Sequence, residues 1–106
     1  MQHIYSDSEH FATVYLLPSV NDKNTYIITG WEINQRYRSQ GYASKLFDRV
    51  CTDADNEGTT LMLSVEPDGT GLDMIELFAF YESRGFVRMD ESDVGMIRHP
   101  KGNHAA

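Results

Sequence analysis

Arg36, Arg38, Ser39, Gln40 and Gly41 stand close together in RYRSQGYAS, where an alternating stretch that begins at Thr25 gives way to helical spacing. If a helix begins near Gln40 or Gly41, its first backbone N–H groups lack intrahelical acceptors and its dipole adds partial positive charge. Gly41 has no Cβ, so a large ligand can approach the backbone there. Arg38 brings a full positive charge to the same place. Donors, dipole and guanidinium together make a pyrophosphate site physically sensible. The alternative is that Ser39 caps the helix and the arginines are solvated.

The other chemistry-bearing residues form no comparable group. His3, His10, His99 and His104 have no metal-like spacing, and Cys51 has no second cysteine to join it. No Ser-His-Asp or Cys-His arrangement offers a covalent nucleophile. Glu66, Asp68 and Asp73 crowd one loop. They either attract a cationic amine or are the ordinary acids of a solvent loop and a helix N-terminus.

The elements that position these residues follow from local pattern. HIYS, FATVYLLPSV and TYIITGWEI are rich in β-branched and aromatic residues and read as strands, with NDKN as a hairpin turn. Ala43, Leu46, Phe47, Val50, Cys51 and Ala54 then fall at helical spacings, and Gly58 is a natural stop. TTLMLSV is a short apolar run, as expected of a strand covered on both faces. Met74, Ile75, Phe78 and either Tyr81 or Glu82 mark a second helix ended by Gly85, and FVRMD with VGMIRH reads as a closing hairpin around ESD. The order is β-β-β-α-β-α-β-β. A right-handed crossover from Thr25 to Val65 makes TYIITGWEI and TTLMLSV parallel. The fold class is α/β, a mixed sheet with helices packed on it.

The 106 residues are expected to form a single domain, with a tail that frays from about residue 99. The net charge of −7 argues against general nucleic-acid binding and fits a cationic partner, or simply solubility. No apolar run is long enough to cross a bilayer, and MQHIYSDSEH has no signal-peptide pattern. With the lone Cys51 expected as a buried thiol, these features point to the cytoplasm.

Arg38-Ser39-Gln40-Gly41-Tyr42-Ala43 resembles the R/Q-x-x-G-x-G/A acetyl-CoA signature of the GNAT superfamily of N-acetyltransferases. Ile33-Asn34-Gln35-Arg36-Tyr37-Arg38 looks like the strand ending that precedes it in that family, and Phe80-Tyr81-Glu82-Ser83-Arg84-Gly85-Phe86 looks like the family's F-Y-E-x-x-G-F element. The likeness runs roughly from Thr25 to His99. It implies a GNAT-like fold in which the two central parallel strands splay apart and pantetheine lies between them like an extra strand. The backbones of Trp31 and Ile33 would then face the pantetheine. Arg38, Ser39, Gln40, Gly41, Tyr42, Ala43 and Ser44 would cradle the phosphates, with Lys45 either near the adenosine or solvated. Tyr81 would be the acid that protonates the departing thiolate, or else a core tyrosine.

Three departures from the family stand out. Where many members carry a glutamate base this chain has Ile27; Glu32 is either a replacement base or an exposed strand residue. An asparagine often found seven residues before the tyrosine is Met74. Only about ten residues precede FATVYLLPSV, fewer than the strand and two helices usual in the family, which leaves the acceptor side open, completed by a second subunit, or suited to a protein side chain.

The implied activity is transfer of acetyl from acetyl-CoA to a primary amine, on a small molecule or a protein side chain, by direct attack in a ternary complex. The implied assembly is a homodimer, with no nucleic acid, membrane or metal. The alternative is a non-catalytic CoA-binding module that regulates or inhibits a partner protein. A nucleotide-binding domain is disfavoured, since neither G-x-x-x-x-G-K-[ST] nor G-x-G-x-x-G is present.

Overall fold

The computed structural model describes residues 1–9, 11–34, 36, 41–66, 72–90 and 92–101. These form, in chain order, β1 (Ile4–Asp7), β2 (Ala12–Pro18), β3 (Thr25–Ile33), α1 (Tyr42–Glu57), β4 (Thr60–Ser64), α2 (Met74–Glu82), β5 (Val87–Arg88) and β6 (Gly95–Arg98). The expected order β-β-β-α-β-α-β-β is the observed one. The strands make one sheet in the order β1-β2-β3-β4-β6-β5. Among the described residues the one parallel pair is β3 with β4; β1, β2 and β3 form an antiparallel meander, and β6 lies between β4 and β5.

The two helices are terminated in different ways. At the C-terminus of α1, Gly58 takes a left-handed conformation (φ 68°), which lets its N–H return to the carbonyls of Ala54 and Asp55. The start of α2 is closed by a capping box. The Asp73 carboxylate accepts from the Glu76 N–H at 2.8 Å, and Glu76 accepts from the Asp73 N–H at 3.0 Å. Asp73 is therefore spent on its own helix.

Both helices contribute to one core on one face of the sheet. Leu46, Phe47, Val50, Cys51 and Ala54 of α1 pack with Leu77, Phe78 and Tyr81 of α2 against Tyr5, Val14, Leu16, Ile28, Trp31, Leu61 and Leu63. A bidentate ion pair ties β6 to α1: the buried Arg98 guanidinium donates to both oxygens of Asp55 at 2.9 Å.

Two expectations need correction. β4 is not covered on both faces: Leu61 and Leu63 are buried, while Met62 between them is only partly covered and Ser64 is exposed. The helices lie on a single side, so the strand alternates. In α2, Ile75 is 81% exposed and Leu77 takes the core position, because the buried stripe is Leu77, Phe78 and Tyr81.

Candidate active site between the parted strands

The β3–β4 ladder has three rungs: Thr25 with Thr60, Tyr26 with Leu61, and Ile27 with Met62. Both strands run on beyond the last rung. The cause of the parting lies on the other side of β3, where the register against β2 shifts. Leu16 opposes Ile28 but Tyr15 opposes Gly30, so Thr29 is an extra residue, a β-bulge. A bulge bends its strand and sharpens the local twist. Beyond it β3 leaves β4, and backbone groups that would have completed the ladder face a gap.

That gap is a cleft of about 150 Å³ lined by Ile28, Thr29, Gly30, Trp31, Leu63, Ser64, Glu66 and Tyr81. Its wall is drawn from both sides of the sheet. Ile28, Trp31, Leu63 and Tyr81 belong to the helix-side core, whereas Gly30 and Ser64 alternate toward the other face.

Tyr81 reaches the cleft from α2 and is 4% exposed. The Trp31 indole N–H donates to its hydroxyl oxygen at 2.7 Å in a buried contact. The indole in turn stacks on Phe80, with ring centroids 5.4 Å apart and planes within 13°. The Arg84 guanidinium lies 3.9 Å over that same Phe80 ring and donates to Asp48 at 2.8 Å. Phe47 and Phe86 pack on the phenol ring, with centroids at 5.5 and 5.7 Å. The Tyr81 oxygen is thus fixed by a rigid aromatic nest and one directed donor.

At the start of α1, Gly41 is the N-cap with φ 85°, and no side-chain cap bond or first-turn acid is present there. α2 closes its N-terminus with its own side chains, whereas Gly41 has no side chain with which to cap α1. A Cβ on Gly41 would meet nothing within 4 Å. The glycine is therefore required by its left-handed backbone rather than by a close wall. Lys45 is exposed and bonds through its backbone to Gly41. Arg38, Ser39 and Gln40 lie outside the described residues, as do His10, Asp68 and His104.

The remaining site residues are dispersed. Ile33 is partly buried against the core. Glu32 pairs with Thr13 on the face away from the helices, so it does not meet Tyr81. The Glu32 carboxylate beside Tyr15 raises the Tyr15 phenol pKa. Ile27, where a family base was sought, is 38% exposed on that same face. Met74 is packed against the core. Sequence reasoning assigned only the backbone of Trp31 to the site and missed its indole. The contact joins residues 50 positions apart, so local pattern carries no signal of it. The lining by Ser64 was also missed. Among the described residues no group of three or more metal-ligating side chains converges, and no helix is long and apolar enough to cross a membrane.

The model of the acetyltransferase (GNAT) family matches residues 4–86 of the chain. No curated protein matches it by sequence. Among solved structures, the anti-CRISPR protein AcrVA5 is 20% identical, with a TM-score of 0.67 over 87% of this chain and 93% of its own. The ribosomal-protein-S18-alanine N-acetyltransferase from Escherichia coli is 14% identical, with a TM-score of 0.67 over 100% of this chain and 76% of that one. A chain of the NatC complex bound to Gag peptide and CoA is 20% identical, with a TM-score of 0.60; the match covers 85% of this chain and 60% of that one.

Proposed function

The chain belongs to the acetyltransferase (GNAT) family, and from that premise we propose that it transfers an acetyl group from acetyl-CoA to a primary amine by direct attack in a ternary complex. One observation carries this reading: the cleft opened by the β3 bulge contains a buried tyrosine hydroxyl held by a dedicated donor. Acetyl-CoA supplies the activated acetyl group. The freed backbone edges of Trp31 and Ile33 suit an extended chain bearing amides, as an added strand would. The positive end of the α1 dipole, with Gly41, Tyr42, Ala43 and Ser44, suits the pyrophosphate. Arg38, Ser39 and Gln40 complete this cradle in the proposal.

The amine nitrogen, neutral when it attacks, forms the N–C bond as the C–S bond breaks. Sulfur leaves with the electron pair and takes the Tyr81 proton; the proton shed by the amine passes to solvent. Tyr81 acts as general acid and Trp31 orients it by occupying one oxygen lone pair. Orientation within a walled cleft supplies the rest. Glu32 enters the proposal only as an acid near the acceptor side.

A second reading keeps CoA binding without turnover, with action through a partner protein. The similarity to an anti-CRISPR protein over 93% of that chain favours it. One experiment separates the two: acetyl-CoA with a panel of polyamines, amino acids, aminoglycosides and peptides, read by free thiol. Acceptor-dependent thiol release that falls by about 10²–10⁴-fold in Tyr81→Phe supports the enzyme. CoA binding with no release on any amine refutes it.

A further inference from the structure

Among the described residues both helices lie on one face of the sheet and leave the other uncovered, and that other face has a definite chemistry. Cross-strand register lines up Leu17, Ile27, Met62, Ile97 and Val87 in one row through β2, β3, β4, β6 and β5. Leu17 and Val87 are more than half exposed, Ile27 more than a third. Four inter-strand spacings make the row about 19 Å long. Patches of this kind mark interaction surfaces. The row crosses β3 and β4 at Ile27–Met62, the last rung before the strands part, next in sequence to Ile28 and Leu63 of the cleft wall.

Among the described strand residues on this face there is no lysine or arginine; the charged one is Glu32, and Glu66 stands at the cleft wall. The face is therefore apolar, with Glu32 on it and Glu66 at its cleft and no cation among its described strand residues. A small amine would need only the cleft, and would leave most of the row unused. A second copy would bring equal negative charge and the same glutamates against this surface. A basic polypeptide with apolar residues beside its lysines satisfies both properties at once.

We propose that the uncovered face docks a basic, apolar-flanked polypeptide, and that one of its lysine side chains is the acetyl acceptor, reaching the cleft from this side. The acceptor role rests on the acetyl-transfer reading: neutral Nζ is the nitrogen that attacks the thioester carbonyl. The docking role rests on the row and its charge alone.

The test uses three labelled short peptides of alternating Lys and Leu, Lys and Ser, or Glu and Leu. Binding is read by fluorescence anisotropy and lysine acetylation by mass spectrometry, with simple amines in parallel. The Lys–Leu peptide is expected to bind at least roughly tenfold tighter than either other peptide, a difference of about 1.4 kcal/mol. It is also expected to be acetylated in preference to simple amines. Leu17→Ser with Val87→Ser, both at exposed positions, is expected to bring its affinity down to the Lys–Ser level, with circular dichroism confirming the fold. Equal affinity for all three peptides, or a preference that survives the double substitution, overturns the proposal. So does a wild-type dimer that the double substitution dissociates, since a second copy would then own the face. Acetylation of simple amines without preference for Lys–Leu overturns this inference and leaves acetyl transfer standing. Peptide binding with no acetylation of any amine overturns acetyl transfer and with it the acceptor role.

Discussion

Replacing Trp31 with phenylalanine isolates the one polar contact that a buried indole makes to Tyr81. The ring remains to stack on Phe80 and fill most of the space, while the N–H 2.7 Å from the Tyr81 oxygen is lost. A neutral hydrogen bond contributes about 1 kcal/mol net and one to a charged group about 1.5–3 kcal/mol. If Tyr81 gives up its proton as sulfur leaves, this donor is stronger in the transition state than in the ground state, by about 1.4 kcal/mol. That difference converts to a fall in kcat of about tenfold. The smaller ring also costs packing, about 1 kcal/mol, which in a domain of this size lowers Tm by roughly 4–8 °C. Packing loss and catalytic loss are separated by a double-mutant cycle with Tyr81→Phe, measuring kcat per folded molecule by thiol release. In the Tyr81→Phe background the Trp31 substitution is expected to leave kcat unaltered, since the hydroxyl it serves is already gone. A tenfold drop in both backgrounds, or none in either, would refute the idea that Trp31 acts through Tyr81.

Gly41→Val forces a β-branched residue to φ 85°, at a cost of about 1–3 kcal/mol of backbone strain; the thermal shift produced by saturating acetyl-CoA should shrink, read by differential scanning fluorimetry with and without ligand. Burial pushes the Cys51 thiol up to about 11, so at pH 8 its thiolate is about a hundredfold scarcer than that of an ordinary thiol. Native protein should resist iodoacetamide while urea-unfolded protein reacts, as followed by intact mass. Asp55→Asn leaves the buried Arg98 charge without its carboxylate and should cost about 3 kcal/mol in urea unfolding. Burial alone would raise the Asp55 carboxyl, but the Arg98 hydrogen bonds prevail and lower it. The native protein should therefore hold this contribution above the ordinary carboxylate range and lose it as pH falls below, and Asp55→Asn should flatten that part of the stability–pH curve.

Local periodicity made the eight elements legible: the stripe from Leu46 to Ala54 is buried as its spacing implied, and the strand segments fall where β-branched residues cluster. The two motifs likewise pointed at the family before any contact was known. What stayed hidden depends on partners distant in the chain. Ile75 and Leu77 are equally apolar, and only packing decides which one α2 turns inward. Met62 reads as core within TLMLS, yet both described helices lie on the opposite face and it is only partly covered. The face that each β3 residue takes was also hidden, because the alternation changes phase at Thr29. A bulge is a mismatch between two strands, so neither strand read alone announces it.

That bulge accounts for more of the site than any single side chain. Before Thr29 the even positions of β3 face the helices, as Tyr26 and Ile28 do; after it the odd positions do, as Trp31 and Ile33 do. A one-residue shift sends every later side chain to the opposite face. With regular pairing Trp31 would point to the uncovered side, out of reach of Tyr81, and Glu32 would be driven into the apolar core. The same extra residue bends β3 away from β4 and ends their ladder after Ile27–Met62. Opening the strands and placing the indole donor against Tyr81 are therefore a single structural event. The cleft and the group that orients its tyrosine cannot be varied independently, and any change that restores regular pairing at Thr29 removes both together.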